Sequence, residues 1–253
     1  MDQEISAVPP DAAVFRGSGL TRRIEVPVLA AVPGLVHLFT ARGSDTRAAI
    51  AEAAGRDMPL RTLRQVHGAV VRMTGPTRPS GDDGARDREE GDALVVDGPG
   101  VAAGVWVADC LPILICDVTT RTAAAVHAGW RGTVAGVVGR AIDALRRCRG
   151  ARPRDLRVAM GPAIGPCCFE VGDEVVTALL SAFPDARAAV RPGPKKRIDL
   201  VEANRIQALV AGVPGDRIQA SGLCTLCRPD LLESYRRDGA GASRMAGLIA
   251  WRD

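Results

Sequence analysis

Apolar residues fall mostly in short, β-branched-rich runs bounded by turn residues, and in only a few places do they recur at helical spacing. The short runs predict strands over residues 36–40, 63–72, 92–96, 111–116, 122–126, 156–160 and 248–251. Helical spacing predicts a helix over 133–148, with Val134, Val137, Val138, Ala141, Ile142 and Leu145 on one side. Further helices are predicted over 45–54, capped by Ser44, over 174–183, and from Asp199, where Asp199 and Glu202 form a capping-box-like pair. Residues 1–34 carry no sustained period and read as a loose lead-in with one edge strand over 24–29, interrupted by Pro27. Residues 75–91, rich in Gly, Pro and charge, read as an exposed loop. Strands that alternate irregularly with a few helices imply an α+β fold of layered sheets covered by helices.

One pair of runs brings potential ligands together. If 117–120 is the loop between strands 111–116 and 122–126, Cys116 faces Arg121 and Cys110 lies opposite His127. Opposed residues share a face with Cβ atoms roughly 4.5–5.5 Å apart, so a thiolate and an imidazole would meet. A slip of one residue would separate them. Gly129, Gly132 and the following helix place a helix start beside this point, where Arg131 would add a planar fork of donors for an anion.

The 253 residues, 47% hydrophobic, suffice for one large core, so residues 35–253 are expected to form a single domain. No apolar run is long enough to span a bilayer, and the first 23 residues lack a signal-type apolar stretch, which makes the cytoplasm the default expectation. Seven cysteines, an odd number in such a chain, point to reduced thiols or metal ligands over a disulfide framework. Adjacent Cys167 and Cys168 read as a poor chelating pair, and Cys224-Thr-Leu-Cys227 as a lone, mostly structural CxxC. The net charge of +4 is small, and at 3% aromatic content the stacking platforms of a single-strand binder are missing, so no nucleic-acid partner is expected.

The runs ADCLPILICD and AAVHAGWRGT, with RQVHGAVV and GDALVV before them and GPAIGPCCFEV after, resemble the laccase-domain (multicopper polyphenol oxidase-like) family of zinc-dependent purine nucleoside phosphorylases. The resemblance covers residues 36–251. It implies a mixed sheet sandwich flanked by helices, in αββα layers. It also implies a metal triad of His67, Cys110 and His127, with zinc favoured over copper. Two histidines and a cysteine are a catalytic zinc set that leaves one position open. The implied substrates are adenosine, inosine or guanosine with phosphate, and the implied further activities are adenosine deaminase and methylthioadenosine phosphorylase. Arg42, Arg64, Asp109 and Arg131 are the candidate substrate-binding residues. The glycine-rich segment that the family carries after Arg42 is shortened here. Neither Asp92 nor Asp109 is assigned by spacing alone; Asp109, next to Cys110, is the better candidate to orient a ligand histidine.

Other chemistries use the same residues. A metal-free cysteine hydrolase would take Cys110 as nucleophile and His127 as base. A structural zinc would need a fourth protein ligand. A four-copper phenol oxidase needs more histidines than His37, His67 and His127. The sequence gives no oligomeric state and no membrane partner.

Overall fold

The computed structural model describes residues 13–75 and 89–253. Two six-stranded sheets form its centre. The first runs in the order β1 (Val14–Arg16), β2 (Arg23–Glu25), β3 (Leu35–Thr40), β14 (Met245–Trp251), β7 (Ala102–Val107) and β4 (Leu60–Thr62). The second runs β13 (Ile218–Ala220), β10 (Leu156–Met160), β8 (Leu111–Asp117), β9 (Thr122–Ala128), β6 (Ala93–Asp97) and β5 (Val71–Thr74). A short ribbon pairs β11 (Val190–Arg191) with β12 (Arg197–Ile198). Both sheets are mixed: β4 joins β7, β5 joins β6 and β13 joins β10 in parallel, while the other ladders are antiparallel.

Three apolar layers hold the sheets in place. Between the sheets lie Phe39, Ile249 and Trp251 from one side and Leu94, Leu114 and Cys116 from the other. On the outer face of the second sheet, Ile113, Ile115, Val126 and Val158 pack on α4 (Val137–Arg149), α5 (Asp173–Ala182) and α6 (Leu200–Val210). On the outer face of the first, Val36, Leu38 and Leu248 pack on α2 (Thr46–Ala54). A strand covered on both faces needs apolar residues at every position, which is why LPILICD and TAAAVHA read as continuous runs and are buried throughout. The αββα layering is therefore that of an α+β sandwich. No helix among the described residues is long and apolar enough to cross a membrane.

Several elements differ from their predicted extents for local reasons. Within the described part of the predicted lead-in, β1 and β2 extend the first sheet, and Pro27 turns residues 27–30 into the short helix α1 (Pro27–Ala30). Asp45, not Ser44, caps α2, accepting the Ala48 N–H at 2.7 Å. The helix predicted over 133–148 is two: α3 (Trp130–Val134) ends before Gly136, whose φ of 73° starts α4. Asp199 caps α6 as expected, but Glu202 pairs with Arg205 and does not close a capping box. The strand predicted over 63–72 begins only at Val71; β4 precedes it, and residues 63–70 are a connection that carries the chain from the first sheet to the second. Most of the predicted 75–91 loop lies outside the described residues.

Candidate metal centre and active site

The site forms where the chain passes between sheets. Residues 63–70 cross from β4 to β5, and residues 108–110 cross from β7 to β8. Gln65 fastens the first crossing to the end of β7, donating to the Trp106 carbonyl and accepting the Trp106 N–H, both at 2.8 Å. His67 sits on one crossing, Cys110 on the other, and His127 near the end of β9. One ligand atom from each of the three lies within 4.8 Å of the other two. The imidazoles meet edge to face, their centroids 4.9 Å apart.

The hairpin register differs from the expected one. The loop is 118–121, Asp117 pairs with Thr122, and His127 faces Pro112 instead of Cys110. Asp117 sets this shift: its carboxylate accepts the Thr119 N–H at 2.8 Å and the Thr120 hydroxyl at 2.9 Å, and Arg121 closes the turn with φ 54°. A slip of two residues preserves the side-chain face, so Cys110 still reaches His127. Cys110 lies one residue beyond the ladder, beside Gly129. A Cβ at Gly129 would sit 2.9 Å from Cys110 Sγ and 3.4 Å from the His67 ring, so the close approach requires glycine there.

Asp92 organises the two histidines. Its side chain is fully buried, and Oδ1 accepts both the His127 Nδ1–H and the His67 amide at 2.9 Å, while Oδ2 accepts the Gly68 amide at 2.7 Å. The carboxylate that orients a histidine is thus Asp92 and not Asp109. Holding Nδ1 leaves Nε2 of His127 for the centre. His67 has φ 59°, a left-handed conformation that costs a β-carbon residue energy and persists here because Asp92 binds both its amide and the next. Burial opposes ionisation of Asp92, but the His127 bond and the two amide bonds outweigh it and hold the carboxyl below its usual range. Burial likewise opposes a Cys110 thiolate, yet the two imidazoles bring its pKa down to about 7. For His127, burial is outweighed by Asp92 and Cys110, which raise it to about 9.

These three donors fit a zinc ion. They are one soft sulfur and two imidazole nitrogens close together, and all three residues line one open cavity. The cavity measures about 810 Å³, within the usual size for a small-molecule site. Four of the chain's eight aromatic residues, Trp106, Trp130, Phe169 and Tyr235, line it. So do Arg131, Arg236 and Arg244, each stacked on one of those rings: Arg131 on Trp130 at 4.3 Å, Arg236 on Phe169 at 5.5 Å, and Arg244 on Tyr235 at 5.8 Å. Helix α6 grips the short α3 that carries Trp130 and Arg131, because Asn204 donates to the Thr133 hydroxyl and Gln207 to its carbonyl, both at 2.9 Å.

Of the candidate substrate-binding residues, Arg131 and Asp109 line the cavity. Asp109, with φ 85°, accepts the Thr225 hydroxyl at 2.5 Å and the Arg236 amide at 2.6 Å, and so pins two walls of the cavity together. Arg42 and Arg64 lie outside the lining: Arg42 donates to the Pro229 carbonyl and faces Glu233 and Asp238, and Arg64 pairs with Glu90. Spacing had singled out neither Arg236 nor Arg244, because neither lies in an element with a hydrophobic period.

The family model for multi-copper polyphenol oxidoreductase laccase matches residues 41–252. A purine nucleoside phosphorylase of Geobacillus stearothermophilus, YlmD, is 38% identical over 197 residues, covering 75% of this chain and 71% of its own. An adenosine deaminase, RL5, from an unknown prokaryotic organism is 40% identical over 156 residues, 60% of this chain and 59% of its own. The crystal structure of Geobacillus stearothermophilus YlmD superposes with a TM-score of 0.83 at 31% identity, covering 96% of this chain and 100% of the other. The chain belongs to the multi-copper polyphenol oxidoreductase laccase family.

Proposed function

We propose that this chain is a zinc-dependent purine nucleoside phosphorylase whose metal is held by His67, Cys110 and His127. The observation that carries this reading is the pairing of that donor set with three arginines around one cavity. Among the described residues the lining sets three arginines against one carboxylate, Asp109, so the cavity favours an anion. Phosphate fits such a wall, and Arg131, Arg236 and Arg244 would neutralise it as it approaches C1′. Trp106, Trp130 and Phe169 supply apolar faces for a purine and its ribose. In phosphorolysis a phosphate oxygen bonds to C1′ while the C1′–N9 bond breaks and its electron pair departs on the purine. Bound zinc would supply a Lewis acid beside the reacting atoms. Asp92 fixes the His127 tautomer throughout and keeps the imidazole from rotating away. The same centre suits adenosine deamination, the activity in the name of one relative.

Purified, zinc-replete protein incubated with inosine or adenosine and phosphate is expected to release free base and ribose 1-phosphate. Phosphate-dependent base release that disappears on metal removal supports the reading, and failure to form either base or deaminated nucleoside overturns it. A second reading has a specific observation behind it: Asp92, His127 and Cys110 form a hydrogen-bonded series in which the thiol is lowered and the imidazole raised, as a cysteine hydrolase requires. Hydrolysis that survives complete metal removal would favour it. Phenol oxidation through four coppers is not proposed, because the chain has three histidines and His37 is buried against Val26.

A further inference from the structure

Four of the seven cysteines meet away from the His67–Cys110–His127 centre. Cys167 and Cys168 lie in the turn after Gly165-Pro166, and Cys224 and Cys227 in the turn that follows β13. One sulfur from each lies within 4.8 Å of all the others. Cys227 Sγ is 3.4 Å from Cys168 Sγ and 3.6 Å from Cys167 Sγ. Sulfurs around a tetrahedral zinc at about 2.3 Å stand about 3.8 Å apart, whereas a disulfide needs about 2.05 Å. Adjacent cysteines normally diverge, but here the turn closed by Cys168 and Phe169 amides on the Gly165 carbonyl directs both thiols toward Cys227.

Backbone and side-chain groups also reach the cluster. The Gly165 amide donates to Cys224 Sγ at 3.2 Å, a bond that stabilises negative charge on sulfur. Arg197 donates to the Cys167 carbonyl at 3.0 Å, and its Nε is a buried donor with no hydrogen-bond partner among the described residues. Cys167 and Cys227 are exposed, so an ion can enter from solvent. We propose that Cys167, Cys168, Cys224 and Cys227 form a second, structural metal site that takes zinc as a tetrathiolate.

Its role follows from what the two turns support. Ala163 and Cys224 form a bridge, and the Thr225 amide donates to the Ala163 carbonyl at 3.0 Å. Thr225 in turn holds Asp109, and Phe169 follows Cys168 into the cavity wall. An ion gripping both turns from behind would fix Phe169 and Asp109 without touching substrate. Closing with four protein sulfurs, it would leave no open position, unlike the centre at His67.

The test is independent of the catalytic reading. Protein carrying His67→Ala and Cys110→Ser, purified with zinc present and freed of loosely bound metal, is expected to retain about one zinc per chain with an all-sulfur shell near 2.3 Å by X-ray absorption. Adding Cys227→Ser and Cys168→Ser should remove that ion, and cobalt reconstitution should show the intense visible bands of tetrahedral thiolate coordination before those changes and not after. Circular dichroism of the same samples verifies that Cys227→Ser and Cys168→Ser leave the fold unchanged. The proposal is overturned if the His67→Ala, Cys110→Ser protein binds no zinc, if its zinc has nitrogen or oxygen neighbours, or if mass analysis without reductant finds these cysteines joined as disulfides.

Discussion

Replacing Asp92 by Asn keeps the size of the side chain and removes what the site needs from it. The carboxylate accepts three N–H groups, two on Oδ1 and one on Oδ2, in a fully buried position. An amide has one accepting oxygen. If that oxygen stays toward His67 and His127, the new NH₂ faces the Gly68 amide across 2.7 Å, donor against donor. If it flips, the clash moves to His67 and His127. Leaving one buried donor unpaired costs about 1–3 kcal/mol, and the remaining bonds lose the strength that ionic charge gave them. The loop that keeps His67 at φ 59° loses an anchor, so two of the three metal donors are affected together. Loss of a carboxylate behind a ligand histidine typically weakens metal binding 10–100-fold, or about 1.4–2.7 kcal/mol. Competition titration of zinc against a chromophoric chelator measures this directly, and thermal melting of the metal-free protein measures the folding share. A zinc affinity within threefold of the unsubstituted protein would refute the account of how the histidines are held.

Gly129→Ala introduces a methyl group 2.9 Å from Cys110 Sγ, and the same titration should show zinc binding weakened by at least as much as in Asp92→Asn, with the melting temperature nearly unchanged. Arg131→Ala removes a cation that lines the cavity from α3; the KM for phosphate should rise about 10–100-fold, the cost of one hydrogen bond to a charged group, while the KM for nucleoside changes less. Steady-state kinetics with each substrate varied in turn reads this out. His37 supplies a pH prediction. Burial lowers its pKa from 6.5 to about 4, and its Nε2 accepts the Val26 N–H at 2.9 Å, so the folded state requires the neutral ring. A histidine lowered on folding contributes stability that is complete above pH 6.5 and is lost as the pH falls toward 4, here at most about 3 kcal/mol. Denaturant unfolding across that window should show a shallower pH slope for His37→Gln than for the unsubstituted chain; equal slopes would count against it.

Continuous apolar runs were enough to locate β3, β6, β8, β9, β10 and β14, because a strand covered on both faces has no polar positions to hide it; β7, equally apolar, was not predicted. One cap was as plain, since Asp199 begins α6 where a carboxylate precedes the apolar period, whereas at α2 the cap fell one residue later than predicted, on Asp45. Cys110 and His127 were legible as neighbours because a hairpin is local, and the error of two residues in register was harmless since side chains alternate with period two. That error came from Asp117, whose side chain folds the turn and so belongs to the strand end instead of the loop. His67 was tied to them only by family resemblance. It lies on a crossing between sheets, in a backbone conformation that no apolar pattern encodes.

Local pattern by itself determined which segments are buried on two sides, where α5 and α6 begin, and that one thiol and one imidazole would be close. Only the tertiary structure decided that Asp92 holds both histidines, that Arg236 and Arg244 share a wall with Arg131, and that cysteines some 60 positions apart converge. The division has a physical cause. Hydrophobic periodicity and caps act over a few residues and are written in order along the chain. Convergence of distant polar groups depends on how two sheets stack and which connections cross between them, and its residues, being few and scattered, leave no period to read.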